Sequence, residues 1–242
     1  MTLKLSSTKI KSACVAVTMA AALLVLGGCA ATEGGVDNPI MRKFQWFSYI
    51  EGGDFKASCT AGAPARYRMI YNGIYTEQVR VYDLAADART LDTHLILPMD
   101  IRDFVVEGFP DLLNPWRGQA AHVTLSPSDV GGLLGDLEAF GAFGPPNVGE
   151  ELSSKGFFWS IAACHDGQYH FTGFSWPSPE WDGAGFSERL FALDSSGVAI
   201  NSPRHTDTTR TLQYAAKNPR RKIQQYHLKV GEDGLAGVWT LF

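Results

Sequence analysis

The hydrophobic pattern changes period several times along the chain, and each change marks an element. From Ala65 to Leu84, "ARYRMIYNGIYTEQVRVYDL", apolar and polar residues alternate on both sides of Asn72-Gly73. A period of two suits a strand lying on a core, and Asn-Gly is the favoured centre of a type I′ turn, so a hairpin turning at 72–73 is predicted. Residues 91–97 and 119–125 carry similar strand signals. "SPSDVGGLLGDLEAF" then switches to helical spacing: Ser126 takes the cap, Pro127 the first position, and Asp129 closes a capping box. Val130, Leu133, Leu134 and Leu137 share one face of this helix; Gly131, Gly132 and Gly135 weaken it, and "GPPN" at 144–147 ends it. A second hairpin is predicted where "GFFWSIAAC" and "QYHFTGFSW" flank "HDGQ", with Asp166-Gly167 at its centre.

Nearer the amino terminus, Asn38 and Pro39 suit a cap and first helical position, and Ile40, Met41, Phe44 and Phe47 recur at helical spacing until Gly52 and Gly53 stop the helix. "EGGDF" at Glu51–Phe55 is read as that stop followed by a turn. Later strands are predicted at 190–201, where "DSSG" makes a turn, at 222–230 and at 237–242. Frequent strands with two or three helices predict an α+β domain, mainly an antiparallel sheet or sandwich, in one unit spanning 40–242. Met69, Tyr71, Val79, Val81, Leu95, Leu97, Val123, Leu133, Leu137, Phe158, Ile161, Phe171 and Phe174 form the expected core.

The first 29 residues follow a different logic. Lys4, Lys9 and Lys11 precede the apolar run "ACVAVTMAAALLVL", which is followed by Gly27, Gly28 and Cys29. The run is short for a permanent membrane span and has the three-part layout of an export signal. "LGGC" at Leu26–Cys29 resembles the lipobox of bacterial lipoproteins. That resemblance, confined to residues 1–29, implies cleavage after residue 28 and acylation of Cys29, with 29–39 as acylated cysteine and flexible tether. It also implies attachment to the outer membrane, because Ala30 stands where inner-membrane lipoproteins often carry Asp.

Composition narrows the partners of the remaining chain. Of the 21 lysines and arginines, three lie in the first 28 residues, which hold no acid, so 18 basic residues face 25 acidic ones thereafter, a formal charge of −7. Nucleic acid is therefore not an expected partner, and the cluster Arg220, Arg221 and Lys222 reads as a solvated face. The expected partners are the membrane, through the lipid, and an envelope protein or glycan. No cofactor is expected.

Candidate chemistry centres on "AACHDGQYH", residues 162–170. With Cys14 lost with the signal and Cys29 acylated, Cys59 and Cys164 remain, and an oxidising envelope favours one disulfide between them over a thiolate activated by His165. A two-residue turn places His165 and His170 on one face and Cys164 on the other. Two imidazoles fall short of the three or four ligands of a zinc site, so His165 and His170 are weak metal candidates, and His94, His122, His205 and His227 lack ligand spacing. "GFSWP" at 173–177 lacks the last glycine of a nucleophile elbow. The most suggestive binding segment is "FSWPSPEWDGAGF", in which Trp176 and Trp181 stand beside Glu180 and Asp182; the rings either plug one end of the sheet or meet a glycan or proline-rich partner. The reading is an outer-membrane lipoprotein whose periplasmic domain serves binding or assembly in the envelope. The alternative is a periplasmic hydrolase or metal-dependent enzyme built on His165 and His170.

Overall fold

The computed structural model describes residues 47–96, 119–205 and 225–241. Cys29, Leu97 and Arg220–Lys222 lie outside them, as do residues 38–46 of the first expected helix. The α+β architecture is as the pattern implies, built on an antiparallel sheet of six strands in the order β4-β3-β2-β1-β6-β7. Its strands are β1 (Arg66–Gly73), β2 (Val79–Ala85), β3 (Thr90–Ile96), β4 (Gln119–Thr124), β6 (Phe157–His165) and β7 (Gln168–Ser175). A smaller antiparallel sheet runs β5-β8-β9, from β5 (Glu151–Ser153), β8 (Gln225–Gly231) and β9 (Gly234–Leu241). The helices are α1 (Gly53–Lys56), α2 (Pro127–Phe140), α3 (Pro179–Asp182) and α4 (Phe186–Leu193), and residues 47–50 are also helical. Among the described residues the helices are mostly short, α1 and α3 being single turns and α2 the longest at 14 residues.

The large sheet is covered on both faces. On one face Tyr67, Met69, Tyr71, Tyr82, Trp159, Ile161 and Phe174 pack against Val130, Leu133 and Leu137 of α2 and Phe186 and Leu190 of α4. On the other, Ile70, Val79, Val81, Phe158, Ala162 and Phe171 meet Leu152, Leu228 and Val230 of the small sheet and Ile50 and Phe55 of the amino-terminal segment. Gly173 marks where the small sheet crosses, since a Cβ there would stand 2.7 Å from Leu152 Cδ1 and 3.0 Å from the Trp159 carbonyl. Of the expected core, eleven side chains are buried, Val123 is half-buried, and Leu97 is outside the described residues.

Helix α2 follows its sequence signals closely. The Asp129 amide donates to Ser126 Oγ at 3.1 Å, the Ser126 amide donates to Asp129 Oδ2 at 3.2 Å, and Gly141 closes the helix with φ 85°. Two expectations are corrected. The first hairpin does not turn at Asn72-Gly73: Asn72 pairs with Val79, and the turn spans residues 74–78 with Ile74 at φ 66°. Asn72 is instead buried, its Nδ2 donating to the Gly156 carbonyl at 2.7 Å, so the side chain that would favour a turn is used inside the fold. Residues 190–201 form no strand; they are the end of α4 and a loop, because Phe186 and Leu190, four apart, reach the core together. At "EGGDF", Gly52 takes φ 72° and stops the preceding turn as expected, and α1 then adds one more. Among the described residues no helix is long and apolar enough to cross a membrane.

Candidate functional site

The β6–β7 hairpin carries the residues of "AACHDGQYH". Asp166 and Gly167, at φ 50° and 72°, turn the chain; Ala163 then pairs with His170 and His165 with Gln168. Cys164 therefore points to the face covered by the small sheet, where it bonds Cys59 across a Cα separation of 5.6 Å. A Cβ on Gly167 would come within 2.7 Å of backbone atoms of Ala61, so the hairpin tip is seated directly on the loop carrying Cys59. The thiol is consumed by the disulfide, and the activated-cysteine alternative ends there.

His165 and His170 lie on the opposite face, around Phe143 from the loop after α2. The Phe143 ring stacks on His165 with centroids 4.0 Å apart and 8° between planes, and stands edge-on to His170 at 6.0 Å. Tyr67 Oη is 2.7 Å from His165 Nδ1, and His165 Nε2 is 3.7 Å from Asp166 Oδ2. Burial, helped by the charges of Asp166 and Asp87, pushes the Tyr67 phenol up to about 12, so it keeps its proton at neutral pH. His170 is held below the ordinary imidazole value by burial first and by His165 second, against a backbone hydrogen bond with Gly144. Among the described residues no three His, Cys, Asp or Glu side chains come together as a metal site.

The tryptophan segment is more regular than its prolines and glycines suggest. Ser178 caps the single turn α3, its Oγ accepting from the Trp181 amide at 3.2 Å. Trp181 is half-buried, its ring 6.1 Å from Tyr71 and 5.9 Å from Phe174. Trp176, also half-buried, stands edge-on to Phe157 at 6.2 Å and 4.8 Å from the exposed His205. Glu180 and Asp182, on either side of Trp181 in the sequence, are exposed. Each indole thus has one side on the core and the other toward water, an amphipathic arrangement suited to an apolar contact at a polar rim.

Two features escaped sequence reading: buried arginines on strands that alternate. Arg80 of β2 is completely buried on the helical face. Its guanidinium donates to Asp194, to Ser196 Oγ at 3.1 Å and to the Val198 carbonyl at 2.7 Å, and its Nε to Gln78 at 2.9 Å. Tyr82 Oη donates to the same Asp194 carboxylate at 2.8 Å. Burial pushes the Asp194 pKa up, but hydrogen bonds from Ser196 and Tyr82 and the Arg80 charge outweigh it and hold the carboxyl below its usual range. Arg68 of β1 does the same on the other face, donating to Asp83 at 2.6 Å, to Asp54 at 2.7 and 3.1 Å and to the Tyr49 carbonyl at 2.9 Å, with the Tyr49 ring 3.5 Å away. Both networks tie loops to the sheet. The only signal in sequence was an arginine amid β-branched and aromatic neighbours, which a solvent-facing arginine shares.

No family model, no curated protein and no solved structure matches this chain.

Proposed function

We propose that this protein is an outer-membrane lipoprotein, acylated on Cys29, whose α+β domain lies in the periplasm and serves as a binding or assembly component of the envelope. The observation that carries the reading is the Cys59–Cys164 disulfide: intracellular proteins rarely keep such a bond, and here it joins the two cysteines that remain once Cys14 leaves with the signal and Cys29 is acylated. The charged amino terminus, apolar run and "LGGC" of residues 1–29 support the same compartment from an independent part of the chain. The lipobox resemblance implies a diacylated Cys29 with an acylated amino terminus, three chains where two suffice for stable anchoring. A binding role is favoured by the use to which the polar side chains are put. Arg68, Arg80, Asp194 and Tyr82 are engaged in holding loops, while Trp176 and Trp181 present half-buried rings in a segment that also carries exposed Glu180 and Asp182. The expected partner is an envelope protein or a glycan.

The test is crosslinking in intact cells with the full-length protein, followed by purification under denaturing conditions and repeated with Trp176→Ala and Trp181→Ala. A defined adduct that weakens in both variants is the expected result. Purification of the chain without any adduct, together with hydrolytic activity lost in His165→Ala, would turn the reading to an enzyme.

A further inference from the structure

One end of the large sheet gathers polar side chains around Trp176. β1 ends there at Gly73, β6 begins opposite it at Phe157, and β7 ends at Ser175, so Trp176 leaves the sheet beside Phe157. The Trp176 amide donates to the Phe157 carbonyl at 2.9 Å, and its ring stands edge-on to the buried Phe157 ring. The loop after α4 arrives at the same place. Its Asn201 amide donates to Gln78 Oε1 at 3.0 Å, and Asn201 Nδ2 donates to the Gly73 carbonyl at 2.5 Å and to Glu77 Oε2 at 2.9 Å. Arg204 donates to Asn201 Oδ1 at 2.5 Å and to Glu77 Oε2, with its guanidinium carbon 5.6 Å from the Phe157 ring centre. His205 follows, its exposed ring 4.8 Å from Trp176.

Holding the loop does not require its last two residues. The buried side chains of Arg80, Gln78 and Tyr71 already donate to the carbonyls of Val198, Ala199 and Asn201. Arg204 and Glu77, by contrast, form a surface pair at 39 % and 43 % side-chain exposure, a kind that adds little stability. What the pair provides is a planar guanidinium and a carboxylate fixed in advance by Asn201, and groups ordered before binding lower its cost. The chemistry of the set selects a ligand. The indole offers a flat apolar face to C–H bonds, and the groups around it offer donors and acceptors. A ligand that matches both is apolar on one face and ringed by hydroxyls, as a pyranose is. Arg204 and Glu77 balance each other, so the site favours an uncharged ring over an anion, and the formal charge of −7 beyond residue 28 acts in the same direction. A protein fits less well, because a stable interface needs about 800 Å² from each side with an apolar centre. Among the described residues Val148 is the one large hydrophobic side chain counted as exposed, and it lies in the loop between α2 and β5.

We propose that Trp176, Arg204, Glu77 and His205 form a subsite for a neutral saccharide, one pyranose ring stacking on the solvent side of the Trp176 indole while its hydroxyls bond the three polar side chains. Asn201 is a positioning residue that holds Arg204 and Glu77 in place. The proposal rests on the reading of the domain as a binding component of the envelope, and it names the ligand as a glycan.

The experiment is saturation-transfer NMR on the full-length protein, in a detergent without a sugar headgroup, with the tetramers of N-acetylglucosamine and of glucose as probes. Transfer to the ring protons of at least one tetramer is expected, with affinity lowered tenfold or more by Trp176→Ala and severalfold by His205→Ala. Glu77→Gln leaves the aromatic packing untouched and should also weaken binding severalfold, so the test stands if Trp176→Ala fails to fold. Absence of transfer from both tetramers at millimolar concentration would overturn the proposal. So would wild-type affinity in Glu77→Gln and His205→Ala. A protein adduct captured in cells, with no saccharide bound, would strike the subsite and leave the binding reading in place, so the two fail separately.

Discussion

Arg80 and Arg68 lie on neighbouring strands, are both buried, and perform the same task on opposite faces of one sheet by different means. Arg80 pins the segment after α4, and its carboxylate partner is buried with it, Asp194 retaining 3 % side-chain exposure. Arg68 pins the segment that enters the domain, and its partners reach water, Asp54 at 43 % and Asp83 at 22 %. The first arrangement takes both charges out of solvent and relies on complete hydrogen bonding; the second keeps its carboxylates hydrated and is weaker. The weaker clamp sits on the segment that also carries the disulfide. The chain thus fixes the entry to its domain with a covalent bond and a partly solvated ion cluster, and the segment after α4 with the buried Arg80 network, the packing of Leu193 and Ile200 and no covalent bond.

This contrast orders the expected effects of mutation. Cys164→Ala should cost most, about 4 to 5 kcal/mol, because the bridge closes a loop of 105 residues. Urea unfolding with and without reductant checks this, and the denatured, non-reduced wild type should show no free thiol at Cys59 or Cys164. Arg80→Met comes next, at about 3 to 5 kcal/mol, since it leaves Asp194 charged and buried without its partner. The Asp194 pKa adds a pH signature: a carboxyl depressed in the folded state stabilises it above the unfolded value of about 3.9, and that stability is lost as pH falls below it. The fall between pH 4 and 2 should therefore be shallower in Asp194→Asn. Arg68→Met should cost less, about 1 to 3 kcal/mol, because water reaches the carboxylates it abandons. An Arg68 effect as large as that of Arg80 would break the comparison. The smallest effect has the opposite sign. Gly135→Ala on α2 should stabilise by about 0.5 to 1 kcal/mol, because nothing lies within 4 Å of the added Cβ. Gly132→Ala should gain less, because the Arg189 guanidinium, which is bonded to Asp136, lies 2.8 Å from that position.

What could be read from sequence was whatever local chemistry decided. The capping box of Ser126 and Asp129 and the Asp166-Gly167 turn are short-range devices, and both stand where their residues predict. The placement of Cys164 opposite His165 followed from that turn by parity alone. Asn72-Gly73 failed because a tertiary demand outweighed the local one: Asn72 Nδ2 supplies a donor to the Gly156 carbonyl, and the chain turns two residues later at Ile74. Alternation could not reveal Arg68 or Arg80, since both faces of β1 and β2 are covered and a buried arginine looks like a solvent-facing one. The place of β6 between β1 and β7 joins segments some ninety residues apart, beyond the reach of any pattern in one sequence. At the candidate site, the Phe143 contact with the two histidines was equally invisible, because Phe143 lies in a loop predicted only as a helix end.

The central claim is that the domain is exported and held by lipid on Cys29. Metabolic labelling with palmitate, followed by membrane fractionation, tests it most directly on the full-length chain and on Cys29→Ser. The account predicts a labelled, processed wild type in the outer-membrane fraction and an unlabelled, unprocessed variant. Label retained by Cys29→Ser, or a wild type that takes up none and stays in the cytosol with Cys59 and Cys164 reduced, would contradict it.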